Sequence, residues 1–307
     1  MCSAKVNYQS ITVPVAGGDQ LRLMRFYRDK KQLDQPVFML HGMFAEGGVF
    51  FAQKDGGLAA DLAARGYDVF VADLRGKGES WPKINRHSHW GVHQHITEDI
   101  PALLRVVSQQ RPNAPQMWIG QGWGGVLMAA YAARFVDNQD LPALMVYLGS
   151  SRYRLPFINK VSQWGFVFRY RLLTALTLAL GYCPSFSGLI NSSETKENIR
   201  DYFSWQRTEQ WLDPVDGFDY GRAIRQKSLP PSLYLAANRT PLPIDGRNVG
   251  SFSRELGFHD GRVINMQMPL SALFGGQSQA LLSQSLSSAE TLEVLHGWLQ
   301  DYSQAVV

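Results

Sequence analysis

QMWIGQGWGGVLMAAYAARF, residues 116–135, is the stretch whose reading decides the fold. Residues 116–120 form a short apolar run of the kind found in a strand covered on both faces. Gly120-Gln121-Gly122-Trp123-Gly124-Gly125 interrupts it, and the alanine-rich run that follows, VLMAAYAARF, has helix-forming composition. A buried strand passed through a glycine-dense turn into a helix is the building unit of a parallel α/β sheet. The turn predicts a positive φ at Gly122, which glycine adopts without steric cost.

Working outward, the same pattern recurs. PVFMLHG (36–42), YDVFVAD (67–73) and ALMVYLG (143–149) are apolar runs ended by turn residues, and residues 53–65 read as a helix stopped by Gly66. Before them, residues 9–28 alternate around Gly17-Gly18, which predicts a hairpin of two amphipathic strands. Helix signals return at Thr97, with Glu98, Asp99 and Pro101 in the first turn. The alternation then stops. Residues 151–225 are aromatic, basic and without buried-strand runs. It resumes at PPSLYLAAN (230–238) and RVINMQMP (262–269) and closes with a helix, AETLEVLHGWLQDY (289–302). The expectation is an α/β fold, a mostly parallel central sheet flanked by helices. Residues 1–150 and 226–307 form its core, and residues 151–225 an inserted helical cap.

Four segments in this order resemble the α/β-hydrolase superfamily. His41-Gly42 ends an early strand where that family builds its oxyanion hole. Asp73-Leu74-Arg75-Gly76-Lys77-Gly78-Glu79-Ser80 follows the pattern D-x-R-G-H-G-x-S, with Lys77 in place of the common histidine. Gly120-Gln121-Gly122-Trp123-Gly124 occupies the place of the nucleophile elbow, G-x-S-x-G. A late strand and a terminal helix bearing Trp298-Leu299 complete the set. Gly181-Tyr182-x-Pro184 and Trp205-x5-Trp211-Leu212 are similar to the cap of predicted hydrolases in the same superfamily.

The resemblance implies a Ser-His-acid triad, and the chain departs from it at every member. Gly122 stands at the nucleophile position and offers no side chain. Thr240 stands at the acid position, with Asp245 a displaced candidate. Gln277, in Phe274-Gly275-Gly276-Gln277-Ser278, stands at the base position and cannot shuttle a proton near neutral pH. What the resemblance leaves is a pocket floor of His41, Gly42, Met43, Phe44, Gly122 and Trp123. Cap aromatics such as Trp164, Phe166, Phe168, Trp205 and Trp211 are expected to add apolar surface to it. The expected role is a degenerate hydrolase, a pseudoenzyme or scaffold that binds a small apolar or acyl-type molecule. The competing expectation is a divergent esterase, lipase-like hydrolase or lyase using other residues, such as Asp245, His41 or the histidines at 87–95.

Gly120, Gly122 and Gly125 also satisfy G-x-G-x-x-G after a strand, the dinucleotide fingerprint. The end of the next strand, Leu148–Arg152, lacks the acid that NAD requires, and Arg152 would suit the extra phosphate of NADP. Two strand units precede the motif, whereas the fingerprint normally marks the first, so NADP binding is the lesser reading and no cofactor is expected. His87, His89, His93 and His95 lie within nine residues, beside Gly91 in a stretch that reads as a loop. They are expected not to converge on a metal.

Composition excludes other classes. Apolar residues make up 45% and charged residues 18% of 307, too apolar for a disordered chain. Net charge is +4, from 30 basic and 26 acidic residues, without a Lys/Arg block, so nucleic acid is not an expected partner. The local excess of Arg152, Arg154, Lys160, Arg169 and Arg171 reads as a solvated surface in preference to one that contacts anions or membrane. No apolar run approaches the roughly 20 residues of a transmembrane segment. Met1–Gly17 lacks the apolar core of a signal peptide, and two distant cysteines suit a reducing compartment. The expected location is cytoplasmic.

Overall fold

A computed structural model of the chain describes residues 6–29, 33, 35–51, 57–152, 160–185, 191–237, 245–266 and 289–305. Eight strands form one sheet: β1 (Asn7–Pro14), β2 (Gln20–Tyr27), β3 (Pro36–Leu40), β4 (Asp68–Asp73), β5 (Met117–Gln121), β6 (Leu144–Leu148), β9 (Ser232–Ala237) and β10 (Gly261–Met266). A separate two-residue pair, β7 (Tyr182–Cys183) and β8 (Glu194–Thr195), lies between β6 and β9 in sequence. The order across the sheet is β1-β2-β4-β3-β5-β6-β9-β10. β1 and β2 form the expected hairpin, with Pro14 opposite Gln20. β2 runs antiparallel to β4, and every later pairing is parallel.

The strand sequences explain their places. β3, β4, β5, β6 and β9 are buried at every position, as strands with helices on both faces must be. β1 and β10, at the two edges, are mostly exposed. Within each central strand, alternate residues feed two cores. Phe38, Phe70 and Trp118 face one, with Leu103, Leu127 and Ile224. Val37, Val69 and Met117 face the other, with Leu58, Leu62 and Trp298. The helices are α1 (Gly57–Ala64), α2 (Val92–Gln94), α3 (Ile100–Gln110), α4 (Trp123–Phe135), α5 (Lys160–Leu180), α6 (Lys196–Arg207), α7 (Tyr220–Ile224), α8 (Gly246–Glu255) and, last, α9 (Ala289–Ala305).

One expected boundary is corrected. Helical structure begins at Val92, five residues before Thr97. It runs through a π-turn, His95–Asp99, into α3. The Gln94 side chain accepts from the Gly91 amide at 2.9 Å and so caps the start, a signal absent from the usual Ser, Thr, Asp and Asn set. His93 and His95 therefore belong to a helix, while His87 and His89 remain in an exposed loop.

Candidate functional site

β5 delivers Gly122 to the N-terminus of α4 with φ 50° and ψ −115°. The Gly122 amide donates to the Leu148 carbonyl at 2.8 Å, tying the turn to β6. The three alternate glycines of the turn have different physical reasons. A Cβ on Gly120 would stand 2.3 Å from the Gly125 Cα, and one on Gly124 would stand 2.4 Å from the carbonyl oxygens of Leu40 and His41. Those two are glycine because the backbones nearly touch. A Cβ on Gly122 would meet no atom of the described residues within 4 Å. Its place is open and its backbone strained for any other residue, which is how an elbow presents a nucleophile.

β3 ends beside this turn. A Cβ on Gly42 would lie 2.9 Å from the Gln121 carbonyl oxygen and 3.5 Å from the Trp123 nitrogen, so the His41–Phe44 loop runs directly against the elbow. Phe44 stands at φ 58°, and its amide donates to Glu194 Oε1 at 2.9 Å. That carboxylate also accepts from Lys77 Nζ at 2.5 Å and, through Oε2, from Asn198 Nδ2 at 2.7 Å. Lys77 and Glu194 are almost wholly buried, with side-chain exposures of 2% and 1%. Lys77, the departure from the family pattern, thus holds β8 and α6 against the loop that frames the elbow. The rest of that motif is scaffolding as well. Asp73 accepts from the amides of Gly47 and Glu79, and burial raises its carboxyl pKa.

Both ring nitrogens of His41 are engaged by backbone. Its Nδ1 donates to the Gly42 carbonyl at 3.0 Å, and its Nε2 accepts from the Leu74 amide at 3.3 Å. Burial lowers its pKa to about 3. A neutral imidazole with both nitrogens engaged is no general base, which removes His41 as a catalytic candidate. The low value has a stability consequence. The unfolded imidazole protonates near pH 6.5 and the folded one does not, so the unfolded state binds more protons between those values. Stability from this site is fully present above about pH 6.5 and falls by up to about 1.4 kcal/mol per pH unit below it. Urea unfolding at pH 5 and pH 7 should therefore show a smaller pH-dependent loss for His41→Asn than for the wild type. Equal losses would refute this assignment.

The remaining histidines are all described: His87 and His89 lie in the exposed loop, and the other four have partners of their own. His93 Nδ1 lies 2.9 Å from Asp213 Oδ1, with Arg134 bonded to the same carboxylate. Arg134 is in the last turn of α4, roughly 17 Å along the axis from Trp123. His95 Nδ1 lies 2.8 Å from Asp99 Oδ2 within the π-turn. His259 bonds Tyr234 at the opposite edge of the sheet, just before β10 begins. His296 bonds Asp61 of α1 at 3.2 Å. His93 and His95 thus meet different carboxylates, while His87 and His89 share the exposed loop. His93, Asp213 and Asp216 do place ligand-type atoms within 4.8 Å of one another. Arg134 bonds both carboxylates and supplies the cation there.

Of the acid candidates, Asp245 caps α8, its Oδ1 accepting from the Asn248 amide at 2.8 Å. Thr240 and Gln277 lie outside the described residues. Arg152 is not the phosphate ligand that an NADP site would need. It is 1% exposed and donates to the Trp205, Thr208 and Glu209 carbonyls and to Glu255. Trp205 and Trp211 do approach the elbow in series, with Trp123–Trp205 at 5.4 Å and Trp205–Trp211 at 5.8 Å between ring centroids. Phe168 does not, being 68% exposed; the side chains of Trp164 and Phe166 lie outside the described residues. Glu194 and Asn198 carried no motif, and only the fold brings them to the site. Beside it, Trp123 Nε1, Gln121 Oε1 and Asn198 Oδ1 are buried without a hydrogen-bond partner.

This sheet order, with a strained glycine turn between the fifth strand and its helix, defines an α/β-hydrolase fold. Residues 31–192, more than half of the chain, match the family described as serine aminopeptidase, S33, and the chain belongs to that family. Solved structures agree on the fold. A haloalkane dehalogenase loop variant from Bradyrhizobium elkanii is 14% identical, with 98% of this chain and 99% of that one covered and a TM-score of 0.62. The naproxen esterase of Bacillus subtilis is also 14% identical, covering 95% and 92%, with a TM-score of 0.56. A thioesterase domain from the curacin biosynthetic pathway covers 91% and 99% at 14% identity and a TM-score of 0.51. No curated protein matches the chain by sequence.

Proposed function

We propose that this member of the family binds a small apolar or acyl-type molecule over its elbow and does not hydrolyse it. The observation that carries the reading is Gly122: the elbow conformation is kept, the residue at the nucleophile position carries no hydroxyl, and no atom of the described residues stands where its side chain would be. The partners of His41, His93, His95, His259 and His296 support it, since those imidazoles are engaged elsewhere. In this reading Thr240 and Gln277 are the lost acid and base, and residues 151–225 form a cap over the carboxyl ends of the strands. The amides of Met43 and Trp123 receive a carbonyl or carboxylate oxygen, as an oxyanion hole does. The unpartnered Trp123 Nε1 and Asn198 Oδ1 offer one further donor and one acceptor. The setting is cytoplasmic. The divergent-enzyme reading draws on the family and its esterase-like relatives, and it needs a nucleophile other than residue 122.

The test pairs p-nitrophenyl butyrate turnover with mass spectrometry of molecules that co-purify. Wild type and Gly122→Ser should both turn over no faster than buffer, because a serine without a base is a poor nucleophile. Gly122→Ser should also lose about 1–3 kcal/mol of stability, all of it backbone strain, since the site has room for the side chain. The triple variant Gly122→Ser, Thr240→Asp, Gln277→His should regain measurable turnover. Wild-type turnover abolished by replacing one histidine or aspartate would overturn the binding reading in favour of the divergent enzyme.

A further inference from the structure

Helix α5 carries three basic residues, Lys160, Arg169 and Arg171, and no acidic one. Its inner side is packed: Leu173 rests on the core and Thr177 is buried, its hydroxyl donating to the Leu173 carbonyl. Its outer side is apolar as well. Phe168 and Leu172 are 68% and 57% exposed, and Ala175 and Ala179 are also exposed. These four recur at i, i+4, i+7 and i+11 and so form one stripe. Leu178, 67% exposed, widens it on the side where exposed Arg171 stands. An apolar surface of this kind, with a cation at its edge, marks an interaction face.

We propose that the outer face of α5 docks on an anionic lipid surface, lying in the interface with its apolar stripe among the acyl chains. Charge selects this occupant. Twenty-one residues without a carboxylate suit a negatively charged surface, and an apolar face beside an exposed arginine, Arg171, is the pattern of an interfacial helix. Crossing the bilayer is not the mode, since no helix among the described residues is long and apolar enough. A second copy of the chain fits less well. A twofold axis through the stripe, between Phe168 and Ala179, would bring Arg171 of both copies into one apolar seam with no carboxylate of α5 to pair them. The inference is independent of whether the elbow is catalytic.

The test is flotation of the full-length protein with vesicles of phosphatidylcholine alone and of phosphatidylcholine with 30 mol% phosphatidylglycerol. The expected result is binding to the anionic vesicles that weakens as salt rises. Phe168→Asp/Leu172→Asp should weaken it about tenfold or more with an unchanged circular dichroism spectrum and melting midpoint. Arg171→Glu provides a second variant that leaves the stripe intact and should weaken binding several-fold. Failure of the wild type to float with either vesicle would overturn the proposal. So would undiminished binding by both variants, or a wild-type dimer that the double variant dissociates.

Discussion

Replacing Lys77 with methionine is expected to lower stability by about 3–5 kcal/mol, the usual cost of breaking a buried ion pair from one side. The ammonium donates to Glu194 Oε1 and to the Ser193 carbonyl, both at 2.5 Å. Without it, the Glu194 carboxylate stays in a nearly water-free site with, among the described residues, the Phe44 and Asn198 N–H groups as donors. The loss is the uncompensated charge more than the missing contact. The double variant Lys77→Met, Glu194→Gln should therefore recover most of it, because a neutral amide oxygen can still accept from Phe44 and Asn198. Urea midpoints of the two single variants and the double variant measure this directly. A double variant no more stable than Lys77→Met would show that packing, not charge, is lost.

Arg152→Ala should be about as costly, again about 3–5 kcal/mol. The guanidinium sits past the C-terminus of α6, where carbonyls lack intrahelical partners and a cation is favoured. It donates to the Trp205 carbonyl at 2.8 Å, Thr208 at 2.9 Å and Glu209 at 2.8 Å, and to Glu255 Oε1 at 2.7 Å through Nε. Burial already raises the Glu255 carboxyl pKa, with Arg152 opposing that rise, so removing the arginine strands the carboxylate. Arg152→Lys restores a charge but not the planar fork, and should recover the smaller part of the loss. Thermal midpoints of both variants test this. Full recovery by lysine would mean that the carbonyl contacts contribute little.

Much of the fold was legible in the sequence because its signals are local. Fully apolar runs such as Val37–Leu40 and Val69–Ala72 state that both faces are covered. Gly17-Gly18 states a hairpin, and Gly120-x-Gly122-x-Gly124 states a tight strand-to-helix turn. Each depends on a few neighbouring residues and on conformations that only glycine adopts cheaply. That residue 122 is a glycine is likewise a fact of one position.

Tertiary structure alone decided which polar groups meet. Lys77 and Glu194 are separated by 117 residues, His93 and Asp213 by 120, Arg152 and Glu255 by 103. The sequence placed Arg152 among five basic residues of one expected surface. The fold buries it as a helix cap and leaves Arg171 in solvent beside the exposed Phe168. Of four histidines close in sequence, two stay in one exposed loop and two meet different carboxylates, because a helix begins between the second and third of them. The physical reason is range. Periodicity and turn chemistry act over one or two turns of chain, whereas the pairing of buried charges is set by which strand ends and helix faces the sheet order brings together.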